Sequence, residues 1–238
     1  MQVICYPRID HEEFDSRLDE LRKIGIKELH FIGKQKIGNV DILGKGCVGI
    51  VIAARLGSRA VALKIRRTDA NRITMIREAN MLTMANSVEV GPKLLGVSEN
   101  FLVMELLEGE LIEEWFTHRD LERDSLAVKR ILCSVLEQCF RLDRIGLDHG
   151  ELSQARKHII IDEIRPRIID FETASTTRKP GNLSSLCQYL FISSPVSQLT
   201  EKILGKVDLP ELKESLATYK YEKSENSYHK VLRVTHLL

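Results

Sequence analysis

Four short stretches of this chain combine residue types that can handle phosphate groups and a metal ion. The first is Leu43-Gly44-Lys45-Gly46-Cys47-Val48-Gly49, where glycines spaced GxGxxG let backbone N–H groups approach phosphate oxygens closely. The second is Val61-Ala62-Leu63-Lys64, an apolar run closed by a lysine, with Glu78 downstream as a carboxylate that would hold the ammonium in position. The third is Asp148-His149-Gly150-Glu151-Leu152, followed by Lys157-His158, and the fourth is Ile168-Ile169-Asp170-Phe171-Glu172. A carboxylate just after an apolar strand suits Mg²⁺, and a second one nineteen positions earlier can orient or deprotonate an attacking hydroxyl. Taken singly, each stretch has a plainer reading: a tight turn without a ligand, a solvated lysine at a strand end, or solvated acids flanking a hairpin.

The elements that must position these residues follow from periodicity. A dinucleotide-binding fold uses the same glycines but needs a helix straight afterwards, with its N-terminus on the pyrophosphate. Here the continuation is IVIAARLGSRAVALKI, β-branched residues around a Leu56-Gly57-Ser58 turn, so the glycines join strands of an antiparallel meander. Upstream, Phe14, Leu18, Leu21 and Ile24 fall on one face of a helix over 11–24, stopped by Gly25. This segment fits a cap on the sheet, and also a fragment of a winged helix; its shortness and mild charge favour the cap. A second helix is expected from an Asp69 N-cap through Ile73, Met75 and Ile76 to about Asn86, then two strands within 91–109 around Ser98-Asn100.

After Gly109 the pattern turns helical, with Leu111–Phe116, Leu126–Ile145, Asn182–Phe191, Val196–Leu204 and Pro210–Tyr219 expected as helices. Two short apolar runs, His158–Ile161 and Arg167–Ile169, read as a β-hairpin with a Pro-containing turn between them.

Bulk properties bound the functional classes. The chain has 238 residues, 43% hydrophobic and 29% charged, as a folded protein of one large domain or two small lobes would. Its 35 basic and 34 acidic side chains leave a net charge of +1, so nucleic acid is not expected as a direct ligand. No stretch reads as a signal core or membrane span, and the expected location is cytoplasmic. The five scattered cysteines, Cys5, Cys47, Cys133, Cys139 and Cys187, lack the spacing of a zinc site or a disulfide framework.

The order of glycine loop, strand lysine, helix glutamate, apolar strand ending in Met104-Glu105, HGE loop and Asp-Phe-Glu resembles the protein-kinase superfamily. The likeness is to its short atypical branch of Rio kinases and the small kinase of the tRNA-modifying KEOPS complex, nearest to predicted archaeal serine/threonine kinases with an HGEL catalytic loop. It spans about 43–175. It implies an α+β, bilobal kinase-like fold: an N-terminal extension over 1–36 packing on the N-lobe, an antiparallel-sheet N-lobe with one helix over 37–105, and an abbreviated, mainly helical C-lobe over 106–238. It further implies that Leu43, Gly44, Lys45, Gly46, Cys47, Val48 and Gly49 cover the phosphates of ATP, Lys64 binds them, and Glu78 pairs with Lys64. Val51, Ala62 and Ile169 would enclose the base, and Met104, Glu105 and Leu107 would form the hinge beside adenine. Asp170 would ligate Mg²⁺ (or Mn²⁺), and Glu151 would orient the acceptor hydroxyl.

Four departures from that pattern bear on the chemistry. Glu151 stands where the branch of longer kinases has aspartate, and Arg156 falls at the spacing of the metal-binding asparagine, with His158 two residues beyond. Glu172 replaces the glycine of Asp-Phe-Gly, and no Ala-Pro-Glu segment follows TTRKPGNLSS. Imidazole at His158 suits Mn²⁺ better than Mg²⁺. The expected function is transfer of the γ-phosphate of ATP to serine or threonine, on the protein itself or on one dedicated partner, with a nucleic-acid-processing complex left open as its setting. Two alternatives stay open: a pseudokinase or ATPase switch acting as a nucleotide-binding module, and a kinase of small molecules.

Overall fold

The computed structural model describes residues 2–8, 11–71, 74–119 and 125–238. They form an α+β structure of two compact units, Met1–Asn86 with Pro92–Leu107, and Ser87–Gly91 with Glu108–Leu238.

In the first unit the chain opens with α1 (His11–Ile24) and β1 (Ile26–His30), then a two-stranded ribbon of β2 (Gln35–Ile37) and β3 (Val40–Ile42). Next come β4 (Gly44–Lys45), β5 (Gly49–Leu56), β6 (Arg59–Arg66), α2 (Ile76–Ser87), β7 (Leu94–Val97) and β8 (Phe101–Glu105). The main sheet is antiparallel with order β1-β5-β6-β8-β7, and β4 pairs with β5. A two-residue Gly57-Ser58 turn joins β5 to β6, with Gly57 at φ 62°, a conformation that costs an L residue and not glycine. Ile42, Ile50, Ile52, Leu63, Ile65, Phe101 and Val103 are buried in one core with Val3, Ile4, Cys5 and Leu21, so the N-terminal residues share the sheet's hydrophobic interior. Arg17 is fully buried on α1, where its Nη1 donates to the carbonyls of Ile4 and Arg66 at 2.7 Å each and its Nη2 meets Glu13 at 2.6 Å.

The helix expected from Asp69 begins later, at Ile76. Asp69 is not its cap: both carboxylate oxygens accept 2.8 Å bonds from the Arg67 guanidinium, and the Thr74 hydroxyl accepts from the Ile76 N–H instead. Residues 72 and 73, including the expected core position Ile73, lie outside the described residues.

The second unit holds β9 (Glu110–Leu111), α3 (Ile112–His118), α4 (Ser125–Arg144), β10 (Ile159–Asp162), β11 (Arg165–Ile168), α5 (Asn182–Phe191), α6 (Pro195–Leu204), α7 (Leu209–Glu222) and α8 (Glu225–Val234). The stripe Val128, Ile131, Leu132, Val135, Leu136 and Cys139 on α4 is fully buried, as spacings of three and four require. The hairpin differs from expectation in its proline. Pro166 sits within β11, paired with Ile161, and the turn is Glu163-Ile164 with Glu163 at φ 55°. This is tolerated because β11 is the edge of the β11-β10-β9 sheet, where a missing N–H removes no ladder bond. Helix α8 was not anticipated, since its stretch opens on SENSYHK. It is started by a capping box in which Ser224 and Ser227 exchange side-chain bonds with each other's backbone. Among the described residues, no helix is long and apolar enough to cross a membrane.

Candidate active site

Strand register gathers one set of the expected residues on the first unit. Val51 stands opposite Lys64, and Ala62 stands opposite Met104. Directly opposed residues point to the same side of a sheet, as do residues two apart, so Val51, Ala62, Lys64 and Met104 share a face. Lys64 is 3% exposed, and its Nζ bonds Glu78 Oε1 at 2.8 Å. Glu78 is equally buried, in the first turn of α2. A buried ion pair of this geometry is far less screened than a solvated one.

The glycine turn lies against that lysine. A Cβ on Gly49 would come within 3.1 Å of Lys64 Cγ and 3.0 Å of the Ile65 carbonyl, so glycine here makes room for the lysine stem. Gly44, Gly46 and Gly49 all avoid positive φ, and a Cβ on Gly44 would meet nothing within 4 Å, so close approach is the demand at Gly49 and not at Gly44. The Gly46 N–H donates to Gly49 O at 2.8 Å and the Leu43 N–H to Val51 O at 2.9 Å. Among the described residues the Cys47 and Val48 amides donate to no acceptor, and Cys47 is exposed at the tip. Glu105 differs from a free hinge residue: its N–H donates to Lys93 O, and its carboxylate accepts from the Lys93 N–H at 3.1 Å. Leu107 ends this unit.

The second unit gathers Glu151, His158, Ile169 and Asp170. Gly150 has φ 92°, and a Cβ there would also strike Arg178 at 2.5 Å, which explains glycine between His149 and Glu151. The Ile169 peptide is held at both ends, its N–H donating to His158 O at 2.9 Å and its carbonyl accepting from His149 Nε2 at 3.0 Å. Asp170 follows at φ 69° and ψ 75°, a left-handed conformation that the clamp on Ile169 helps to impose. Phe171 is buried against the His149 ring at 5.1 Å.

His158, 7% exposed, stands between two carboxylates, with Nδ1 3.9 Å from Asp170 Oδ2 and Nε2 3.9 Å from Glu151 Oε2. One ligand atom from each of the three residues lies within 4.8 Å of the others, and the buried Nδ1 has no hydrogen-bond partner among the described residues. That arrangement fits a divalent cation bound by one nitrogen and two oxygens. A nitrogen donor favours Mn²⁺ over Mg²⁺, which prefers oxygen throughout. Glu151 Oε2 also lies 3.2 Å from the Thr173 hydroxyl, which donates to His149 O at 2.9 Å. Asp148, by contrast, is occupied by Arg178 at 2.8 Å, leaving Glu151 as the carboxylate of this loop that can meet a substrate.

Four supporting residues were not among those expected to act. His149 is fully buried, and Asn182 Oδ1 accepts from its N–H at 2.8 Å. Asn182 in turn donates to Leu147 O and to Asp143, whose carboxylate also accepts the Tyr219 hydroxyl at 2.9 Å. Desolvation pushes the Asp143 carboxyl up, against the hydrogen bonds it accepts. The sequence carried only a faint sign of this network, polar residues at 143 and 182 inside otherwise apolar helix faces.

His149 makes the unit acid-sensitive. Burial, with the neighbouring His158 adding to it, lowers its pKa from 6.5 to about 4, while Ile169 O and the nearby carboxylates oppose the shift. The folded state therefore refuses a proton that the unfolded chain accepts. Its contribution is complete above pH 6.5 and is lost as pH falls toward 4, by about 3 kcal/mol in all. Urea unfolding at pH 7.5 and 4.5, in chelator, should show that loss in the wild type. It should be largely absent in His149→Gln, which keeps a donor but does not titrate.

No family model matches the chain, and no curated protein matches it significantly.

Proposed function

We propose that the chain is a small kinase-like phosphotransferase that moves the γ-phosphate of ATP to a serine or threonine hydroxyl, its own or that of one protein partner. The observation that carries this reading is the Lys64–Glu78 pair, 2.8 Å apart and 4% exposed on both sides, with its lysine stem against Gly49 of the glycine turn. A carboxylate-held ammonium beside backbone amides is suited to phosphate oxygens, because it needs little reorganisation to meet them. The Cys47 and Val48 amides supply the neutral donors of such a site. Val51, Ala62 and Met104, on the same sheet face as Lys64, offer an apolar surface for a base.

Asp170 and His158 would hold the cation, with Glu151 reaching it or the acceptor hydroxyl. When bound, the metal would neutralise charge on the transferring phosphoryl group. Glu151 would accept the hydroxyl proton, a task its partial exposure permits. The absence of an Ala-Pro-Glu segment argues for a dedicated acceptor, since no platform for extended peptides follows 175.

Purified protein incubated with γ-labelled ATP and Mg²⁺ or Mn²⁺ tests the reading, with labelled protein and released phosphate both measured. Label on the protein is expected, faster in Mn²⁺ by about tenfold because of the His158 nitrogen. ATP binding without label or phosphate under either metal would reject phosphotransfer and leave a nucleotide-dependent binding module. Free phosphate without label would indicate an ATPase, and a labelled small molecule would move the acceptor class.

A further inference from the structure

We propose that Tyr6 is a positioning residue for the glycine turn, acting through Lys45 and Arg67; this rests on reading that turn as the phosphate-binding element. Val3, Ile4 and Cys5 are buried and so fix the chain immediately before Tyr6. The Tyr6 carbonyl accepts from the Thr68 N–H at 2.8 Å, and the Arg8 N–H donates to the Thr68 hydroxyl at 3.2 Å. These bonds dock the N-terminal strap on the end of β6. From there the Tyr6 ring meets two cations: Lys45 Nζ lies 4.9 Å from its centroid and Arg67 Cζ lies 5.3 Å from it.

Arg67 is the link between strap and turn. Its Nη1 donates to Gly46 O at 3.1 Å, its backbone N–H donates to Val48 O at 2.8 Å, and Asp69 fixes the guanidinium with two 2.8 Å bonds. Lys45 belongs to the turn itself. The ring of Tyr6 thus touches one side chain of the turn and the guanidinium of the residue that holds two of its carbonyls, Gly46 O through Nη1 and Val48 O through the backbone N–H. Glycine-rich backbone is soft, and ordering it in advance lessens what a nucleotide must order on binding. A π face that gathers both cations is a means of doing so without occupying the amides at the tip.

The test compares Tyr6→Phe, which keeps the ring, with Tyr6→Leu, which keeps most of the bulk and loses the π face. Hydrogen exchange is followed at the Gly46 and Arg67 amides and, as an internal reference, at Leu102 and Val103 in β8. ADP affinity is measured in parallel by calorimetry. Tyr6→Leu should exchange faster at Gly46 and Arg67 but not in β8, and should bind ADP about fivefold more weakly. Tyr6→Phe should stay within about twofold of wild type in both. Unchanged exchange at Gly46 and Arg67 in Tyr6→Leu would overturn the proposal, as would equal acceleration in β8 or a Phe variant as impaired as Leu. A wild type that binds no ADP would defeat the functional reading instead, and the exchange comparison would still decide the role of Tyr6.

Discussion

Asp170→Asn should lower phosphotransfer by about 10³-fold, an effect of about 4 kcal/mol on the barrier, while leaving the fold and ATP binding largely intact. Asp170 adopts φ 69°, and asparagine is among the few residues that tolerate this region, so the substitution removes a charge without adding strain. The Ile169 clamp, made by His158 O and His149 Nε2, does not involve the 170 side chain and should persist. What is lost is one of the two carboxylates flanking His158, and with it most of the cation's affinity for the cluster. The rate in Mn²⁺ and Mg²⁺, with Mn²⁺ binding followed by paramagnetic resonance, checks this. Wild-type transfer rates in the variant would mean that Asp170 takes no part in holding the metal.

The sequence made most of the scaffold legible because most of it is governed by local rules. The helix over His11–Ile24 and that over Asn182–Phe191 have the bounds their apolar spacing implies, and Gly57-Ser58 marked its hairpin by turn chemistry alone. The failures share a cause, partners distant in sequence or in context. Asp69 looks like a cap until Arg67 claims both its oxygens. Pro166 looks like a turn residue until the sheet order makes its strand an edge. Arg17 falls outside the apolar spacing of its helix, yet it is buried because Ile4 and Arg66 supply carbonyls to its guanidinium. For the candidate site, residue types and order indicated Lys64 with Glu78, and Asp170 with His158. The support beneath them, His149, Asn182, Asp143 and Tyr219, depends on contacts up to 76 positions apart and could not be seen locally.

Glu78→Ala should destabilise the first unit by about 3–5 kcal/mol, because it withdraws the carboxylate 2.8 Å from an ammonium that is almost wholly shielded from water. The same change should weaken ATP binding, but that alone would not separate a structural from a functional lysine. The double variant Lys64→Met with Glu78→Leu does separate them. Apolar side chains of similar volume often replace a buried ion pair without loss of stability, so urea unfolding should return to within about 1 kcal/mol of wild type. ATP affinity should not return, since neither methionine nor leucine offers a charge to phosphate oxygens. A double variant that is stable and still binds ATP as wild type does would make the pair a packing device. A stable variant that has lost ATP binding would locate the phosphate contact at Lys64, with Glu78 as the group that keeps the ammonium aimed and charged in a site from which water is excluded.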